Sequence, residues 1–271
     1  MLTNRFGILG VLAVLPAMAQ VTSVPVAPLT TTQITPRQHA PLKFHQFRSD
    51  GTVESENWSG YAVTGTAFTE ALGSWTVPTV NCSVTPGTYS SFWVGLDGYS
   101  SSTVEQTGTD SDCQGGVPTY YAWYEFYPQA SKLIGKLTIS PGDHISAEVS
   151  YKGGEFKITI TDETTGQSFS NKSAVAGAKR TSAEWIAEAP CCTRSGGILP
   201  LSDFGTVALG QDFAGVNGTN YAISKSTSGL ISAFGTSVQQ IIMATSKGVD
   251  EAVPSPLSTD GSSFTVMWDS E

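Results

Sequence analysis

Apolar and polar residues alternate in short runs along most of this chain, and almost nowhere at the 3.6-residue spacing of a helix. The clearest run sets Ile145, Ala147, Val149 and Tyr151 on one face, then Gly153-Gly154, then Phe156, Ile158 and Ile160. This pattern predicts two half-buried strands joined by a two-residue hairpin turn. Asp162-Glu163-Thr164-Thr165-Gly166 predicts the next turn. Further strands are expected near 89–96, 102–108, 119–127, 133–139, 182–189, 238–243 and 263–268. At least eight strands in about 215 residues make residues 54–271 one all-β domain, a two-sheet sandwich around a single core. No internal repeat, heptad or glycine-rich phosphate loop interrupts the pattern.

The first part of the chain reads differently. Arg5, the apolar run Phe6 to Pro16 and the small residues of Ala17-Met18-Ala19 have the form of a secretory signal peptide, residues 1–19, cut after Ala19. Residues 20–53 are rich in Pro, Thr and Gln with little periodicity, and read as a propeptide or flexible leader. Residues 1–53 carry a net +3 (Arg5, Arg37, Lys43 and Arg48 against Asp50), which leaves -12 on the rest of a chain whose total is -9. So acidic a domain argues against nucleic-acid partners and an anionic membrane surface, and suits a protein that works in acid. A mature protein outside the cell is expected.

Four cysteines, Cys82, Cys113, Cys191 and Cys192, allow three pairings. Cys82 with Cys113 is favoured because both flank one strand region, leaving Cys191-Cys192 as a vicinal bridge or two thiols. With no CxxC and only His144 beyond residue 53, neither a metal site nor a histidine-based nucleophile is expected, and no cofactor is implied.

Several polar residues sit where a strand should bury them. Val104, Gln106 and Gly108 share one face, and a glutamine so placed must find hydrogen bonds. Glu184, Ile186 and Glu188 share a face opposite Trp185 and Ala187, an arrangement that raises a carboxyl pKa by repulsion or desolvation. Trp93, Gly95 and Asp97 form a third such set, and Trp123, Glu125 and Tyr127 a fourth. Acids interleaved with large rings suit a binding cleft. They fit a carbohydrate-binding lectin as well as an enzyme, and Glu125 with Glu184 would suit a two-carboxylate glycosidase.

Asn57-Trp58-Ser59-Gly60-Tyr61, Gly73-Ser74-Trp75-Thr76-Val77-Pro78, Trp93-Val94-Gly95-Leu96-Asp97-Gly98, Gln106-Thr107-Gly108-Thr109-Asp110, Ala122-Trp123-Tyr124-Glu125-Phe126-Tyr127-Pro128 and Ala183-Glu184-Trp185-Ile186-Ala187-Glu188 occur in this order, followed by Leu199-Pro200-Leu201-Ser202-Asp203-Phe204. In these motifs the chain resembles the glutamic peptidases, the eqolisin family of acid proteases. The resemblance implies a lectin-like (concanavalin-like) sandwich of two antiparallel sheets with its active site on the concave face, a secreted zymogen, and endopeptidase activity in acid, exerted by a monomer on a protein or peptide substrate. It maps the catalytic glutamine onto Gln106 and the catalytic glutamate onto Glu184, with Trp93, Asp97, Asp110, Trp123 and Glu125 beside them. It also implies a disulfide between the loops before these two residues, for which this chain has no cysteines. In the expected mechanism Glu184 takes a proton from the attacking water, the Gln106 amide stabilises the oxyanion, and Glu184 returns the proton to the leaving nitrogen.

Overall fold

The computed structural model describes residues 34–191, 197–216 and 218–270, so the expected signal peptide, residues 20–33 of the leader, Cys192 and Asn217 lie outside the described residues. The elements are almost entirely strands. One four-residue helix, Gln211–Ala214, and one 3-10 segment, Ile231–Ser237, are the exceptions among the described residues.

The strands form two layers. In the first, Lys132–Leu133, Val117–Tyr127, Val104–Gln114, Ser91–Leu96, Ser182–Glu188, Trp58–Thr64 and Val238–Ala244 lie side by side, each antiparallel to the next. In the second, Gln167–Ser173, Glu155–Asp162, His144–Lys152 and Glu70–Thr76 follow the same rule. Strand Glu70–Thr76 continues to Tyr221–Ile223 and, through a single pair, to Thr206–Leu209. From there Phe264–Trp268 and Asp250–Pro254 lead back to Val238–Ala244, so hydrogen bonding runs from one layer to the other around one end.

The predicted hairpin is present in the predicted register. Phe156, Ile158 and Ile160 lie opposite Tyr151, Val149 and Ala147, and Gly153 and Gly154 both take the positive φ that a two-residue turn of this hand requires. The Asp162 carboxylate accepts from the Thr164 and Thr165 amides and closes the next turn where expected. The expected strand at 133–139 is corrected: only Lys132–Leu133 pairs. Leu137 and Ile139 are buried at alternate positions, which mimics a strand, but they anchor an irregular segment.

The main core fills the space between the layers, with Phe92, Val94 and Trp185 from one side meeting Trp75, Ile145, Val149 and Ile158 from the other. A second apolar cluster lies on the opposite face of the first layer and contains Trp58, Ala62, Trp93, Trp123 and Ile186. Ile34 and Leu42 pack against this second cluster, and Phe44–Phe47 pairs with Val53–Ser55. Residues 34–53, expected as part of a flexible leader, therefore fold with the domain as one compact body. Cys82 and Cys113 are joined, as favoured, and Cys191 is also disulfide-bonded.

Candidate active site

Strand pairing brings the alternating polar positions into rows on the face turned away from the main core. Gln106 lies opposite Glu125, Gly108 opposite Trp123 and Asp110 opposite Tyr121. On the other flank Gly95 lies between Gln106 and Glu184, and Ser91 between Asp110 and Glu188. The two glycines make room for a ring. A Cβ on Gly108 would fall 2.3 Å from the Phe92 carbonyl oxygen and 2.6 Å from the Trp93 Cβ, and one on Gly95 would fall 2.9 Å from the Trp93 ring. Any side chain there would push Trp93 off the sheet.

Trp93 uses that position to donate its indole N–H to Glu188 Oε2 at 2.7 Å. The Trp123 indole donates to Ser91 Oγ at 3.2 Å, which fixes the second ring. Tyr121 donates its hydroxyl to Asp110 at 2.6 Å and sits 3.0 Å from an oxygen of Asp112. Gln106 Nε2 donates to Glu125 Oε2 at 3.0 Å. All of Gln106, Asp110, Glu125 and Glu188 are fully buried.

The segment around His39 crosses this cluster. Gln106 Nε2 also donates to the backbone carbonyl of His39 at 2.9 Å, and the His39 amide donates to Glu125 Oε2 at 3.0 Å. The His39 imidazole stacks on Trp123, with ring centres 3.6 Å apart and planes 9° from parallel. Its Nδ1 lies 3.2 Å from Glu188 Oε2, and its Nε2 3.8 Å from Asp110. His39 thus joins Gln106, Glu125, Asp110 and Glu188 into one group.

Burial drives this group toward its neutral forms. Desolvation holds the carboxyls of Asp110, Glu125 and Glu188 well above the usual range, and neighbouring acids push each of them further. The Trp93 N–H opposes that rise at Glu188, and the Gln106 and His39 N–H groups oppose it at Glu125. Burial also lowers His39 well below the ordinary histidine value. Asp112 is raised by desolvation to about 6.

The expected partner of Gln106, Glu184, shares the face but not the group. Its carboxyl is fully buried and pushed up by desolvation and then by the charges of Asp97 and Glu105. Neither of its oxygens has a hydrogen bond of good geometry, although Ser182 and the Tyr99 backbone approach it. The carboxyl gathered with Gln106, Glu125, Asp110 and the two tryptophans is Glu188, one helical-looking but here strand-like step of four residues further on.

Asp97 also stands apart, and its work is visible. Its carboxylate accepts from the backbone N–H groups of Lys179, Arg180 and Thr181 at 2.8, 2.6 and 2.9 Å, and from the Thr181 hydroxyl at 3.1 Å. Asp97 thereby ties the end of strand Ser91–Leu96 to the segment that enters strand Ser182–Glu188. This polar clasp joins the regions for which the resemblance implied a disulfide. Trp93, Asp110, Trp123 and Glu125 lie within the cluster. Glu188 and Tyr121 were not among the expected site residues. Glu188 had a signal, the same strand parity as Glu184, and Tyr121 had only its place in an aromatic-rich run.

With this geometry in hand, the relatives are informative. Residues 56–251 match the Peptidase A4 family. The chain is 31% identical over 205 residues to aspergillopepsin-2 of Aspergillus niger, spanning 66% of this chain and 72% of that protein. It is 39% identical over 160 residues to scytalidopepsin B of Scytalidium lignicola, spanning 55% of this chain and 58% of the relative. Scytalido-glutamic peptidase, solved with a transition-state analogue inhibitor, superposes with a TM-score of 0.65 at 25% identity, over 79% of this chain and 98% of that one. Aspergilloglutamic peptidase from Aspergillus niger gives 0.55 at 28% identity, over 67% and 99%. A match across most of the chain, on a shared two-layer fold, means that this protein belongs to the Peptidase A4 family, the glutamic peptidases or eqolisins, and is a peptidase.

Proposed function

We propose that the protein is an acid-acting endopeptidase released from the cell, in which Gln106 supplies the oxyanion donor and Glu188, rather than Glu184, is the general base. The observation that carries this reading is a peptide lying in the cluster. Gln106 Nε2 donates to a backbone carbonyl, that of His39, and Glu125 accepts the amide of the same residue. The group is therefore shaped to hold a peptide by its backbone, with Glu188 against the side chain. The relatives solved with peptide-like transition-state analogues support the same use of the fold.

The steps follow from the positions. Ionised Glu188 takes a proton from water as its oxygen attacks the scissile carbon, and the Gln106 N–H meets the charge that develops on the carbonyl oxygen. Protonated Glu188 then gives the proton to the leaving nitrogen, and the C–N bond breaks. Trp93 holds the Glu188 carboxyl by one oxygen, and Glu125 orients the Gln106 amide so that an N–H faces the substrate. The amide of Gln106 does not titrate, so the oxyanion donor is unchanged in acid, and the raised Glu188 carboxyl is held in the protonated form that delivers a proton to the leaving nitrogen. The Cys82–Cys113 bridge supports a working place outside the cytosol.

A lectin use of the same aromatic residues has less support. Trp93 and Trp123 are fully buried, and the exposed ring face that sugar stacking needs is covered on Trp123 by His39. The test is a pH–rate profile on a denatured protein. Hydrolysis confined to acid is expected. Sugar binding without hydrolysis at any pH would overturn the reading.

A further inference from the structure

The leader does more than cover the cleft. At the peptide bond between His39 and Ala40, the carbonyl oxygen accepts from the Gln106 amide at 2.9 Å, and the Ala40 N–H on the other side of the bond approaches the Glu188 carboxyl without making a hydrogen bond of good geometry. These are the places that an oxyanion and a leaving nitrogen would occupy.

The chain is fastened on both sides of that bond. Before it, Gln38 exchanges backbone hydrogen bonds with Cys191 at 3.0 and 2.8 Å. The Arg37 guanidinium lies 4.2 Å over the Tyr89 ring and 3.8 Å from Asp112. After it, the Ala40 carbonyl accepts from the Trp58 indole at 3.1 Å and from Asn57 at 3.3 Å, and the Leu42 amide donates to the Gly98 carbonyl at 3.1 Å. A segment held only as a plug needs no particular bond over the catalytic pair. This one presents a single bond in the direction that hydrolysis requires.

We propose that His39–Ala40 is a self-cleavage site, the first peptide bond this enzyme cuts in its own chain. The inference rests on the roles given above to Gln106 and Glu188. Water adds to the His39 carbonyl carbon and passes a proton to Glu188. The C–N bond to Ala40 breaks, and Glu188 delivers the proton to the Ala40 nitrogen. One water is consumed, and the products are a carboxyl-terminal His39 and an amino-terminal Ala40. The residue on the amino side of the cut fills a slot made by Trp123, Asp110 and Glu188, so a flat side chain that bears hydrogen-bonding nitrogen fits there.

The full chain, purified at neutral pH and shifted to acid, tests this by intact mass and N-terminal sequencing over time. A chain beginning at Ala40 is expected as the first product. Its appearance should be first order and unchanged in rate over a hundredfold range of protein concentration, because the bond is already in place. Glu188→Gln, checked for a native circular dichroism spectrum, should leave the bond whole. Ala40→Pro removes the N–H that faces Glu188 and should slow cleavage at this bond by about a hundredfold or more, while enzyme freed of its leader by an added protease keeps its activity on denatured protein. Wild-type protein that digests an added substrate but is cut first at another bond would overturn the self-cleavage site and leave the proposed function standing. An Ala40 terminus that still forms in Glu188→Gln would overturn it as well. Protein that neither cuts itself nor digests an added substrate would overturn both readings.

Discussion

Glu184 and Glu188 sit on the same strand, point to the same side and are equally buried, yet their surroundings differ completely. Around Glu184 stand Asp97 and Glu105, with only the Ser182 hydroxyl and the Tyr99 backbone near enough to help. Around Glu188 stand an indole N–H, an imidazole and the carboxyls of Glu125 and Asp110, one of which holds the Gln106 amide. Burial raises both carboxyls, so a raised pKa cannot separate a base from a bystander. The separating feature is the set of groups that could hold the rest of a reaction: an oxyanion donor, a fixed carboxyl and a peptide between them. Among the described residues, the Glu184 region has no indole, imidazole or docked peptide against its carboxyl.

The comparison can be broken first at Gln106. Gln106→Ala removes the donor that meets the His39 carbonyl, and kcat of the folded variant on a denatured protein should fall about a hundred- to thousandfold, roughly 3–4 kcal/mol in the barrier, beside a stability loss of about 1–3 kcal/mol from the buried acceptors left unpaired. An unchanged rate would remove the oxyanion donor from the mechanism.

The other end of the comparison carries structural work, and Asp97 shows it. Asp97→Asn weakens charge-assisted bonds to three backbone N–H groups at the entry to strand Ser182–Glu188, and should lower stability by about 1–3 kcal/mol by urea titration. The processed variant should keep kcat within a few-fold of the parent. A large loss of kcat with full stability would place Asp97 in the chemistry instead.

Much of this was legible in the sequence, and the limit has a physical form. Period-2 alternation revealed the hairpin of His144–Lys152 with Glu155–Asp162, because one face of each strand meets the core and the other meets water. The same argument set Trp123 and Glu125 on one face of their strand and Gln106 with Gly108 on one face of theirs, and only strand pairing joins these faces. It gave no strand at Trp58–Thr64, whose residues are buried on both faces but for Thr64 and so show no alternation. It also could not choose between Glu184 and Glu188, since parity fixes a face and says nothing about position along it. That choice depends on long-range register, with Ser91 lying between Asp110 and Glu188. The docked His39 was hidden for a related reason: a segment without periodicity carries no mark of what it will cover.

A smaller effect separates the two regions by pH. Desolvation raises Glu105, in the Glu184 neighbourhood, to about 9. An acid whose folded pKa is raised binds more protons in the native state than in the unfolded one. It costs nothing below the unfolded value of about 4.3 and destabilises progressively as pH rises toward the folded value. Thermal stability should therefore decline from pH 5 to pH 8, with each such group contributing about 1.4 kcal/mol per pH unit. Glu105→Gln should flatten that slope by about one proton. A slope of the opposite sign, with stability rising toward pH 8, would contradict the assigned direction.

The most direct test sets the two glutamates against each other in protein freed of residues 1–39 by an added protease. Single-turnover hydrolysis of a peptide substrate is measured in acid for Glu184→Gln and Glu188→Gln, each shown to be folded. Loss of the general base at Glu188 should slow the chemical step by about a hundred- to ten-thousandfold, and Glu184→Gln should stay within a few-fold of the parent. The reverse ranking, an inactive Glu184→Gln beside an active Glu188→Gln, would return the base to Glu184 and contradict the account.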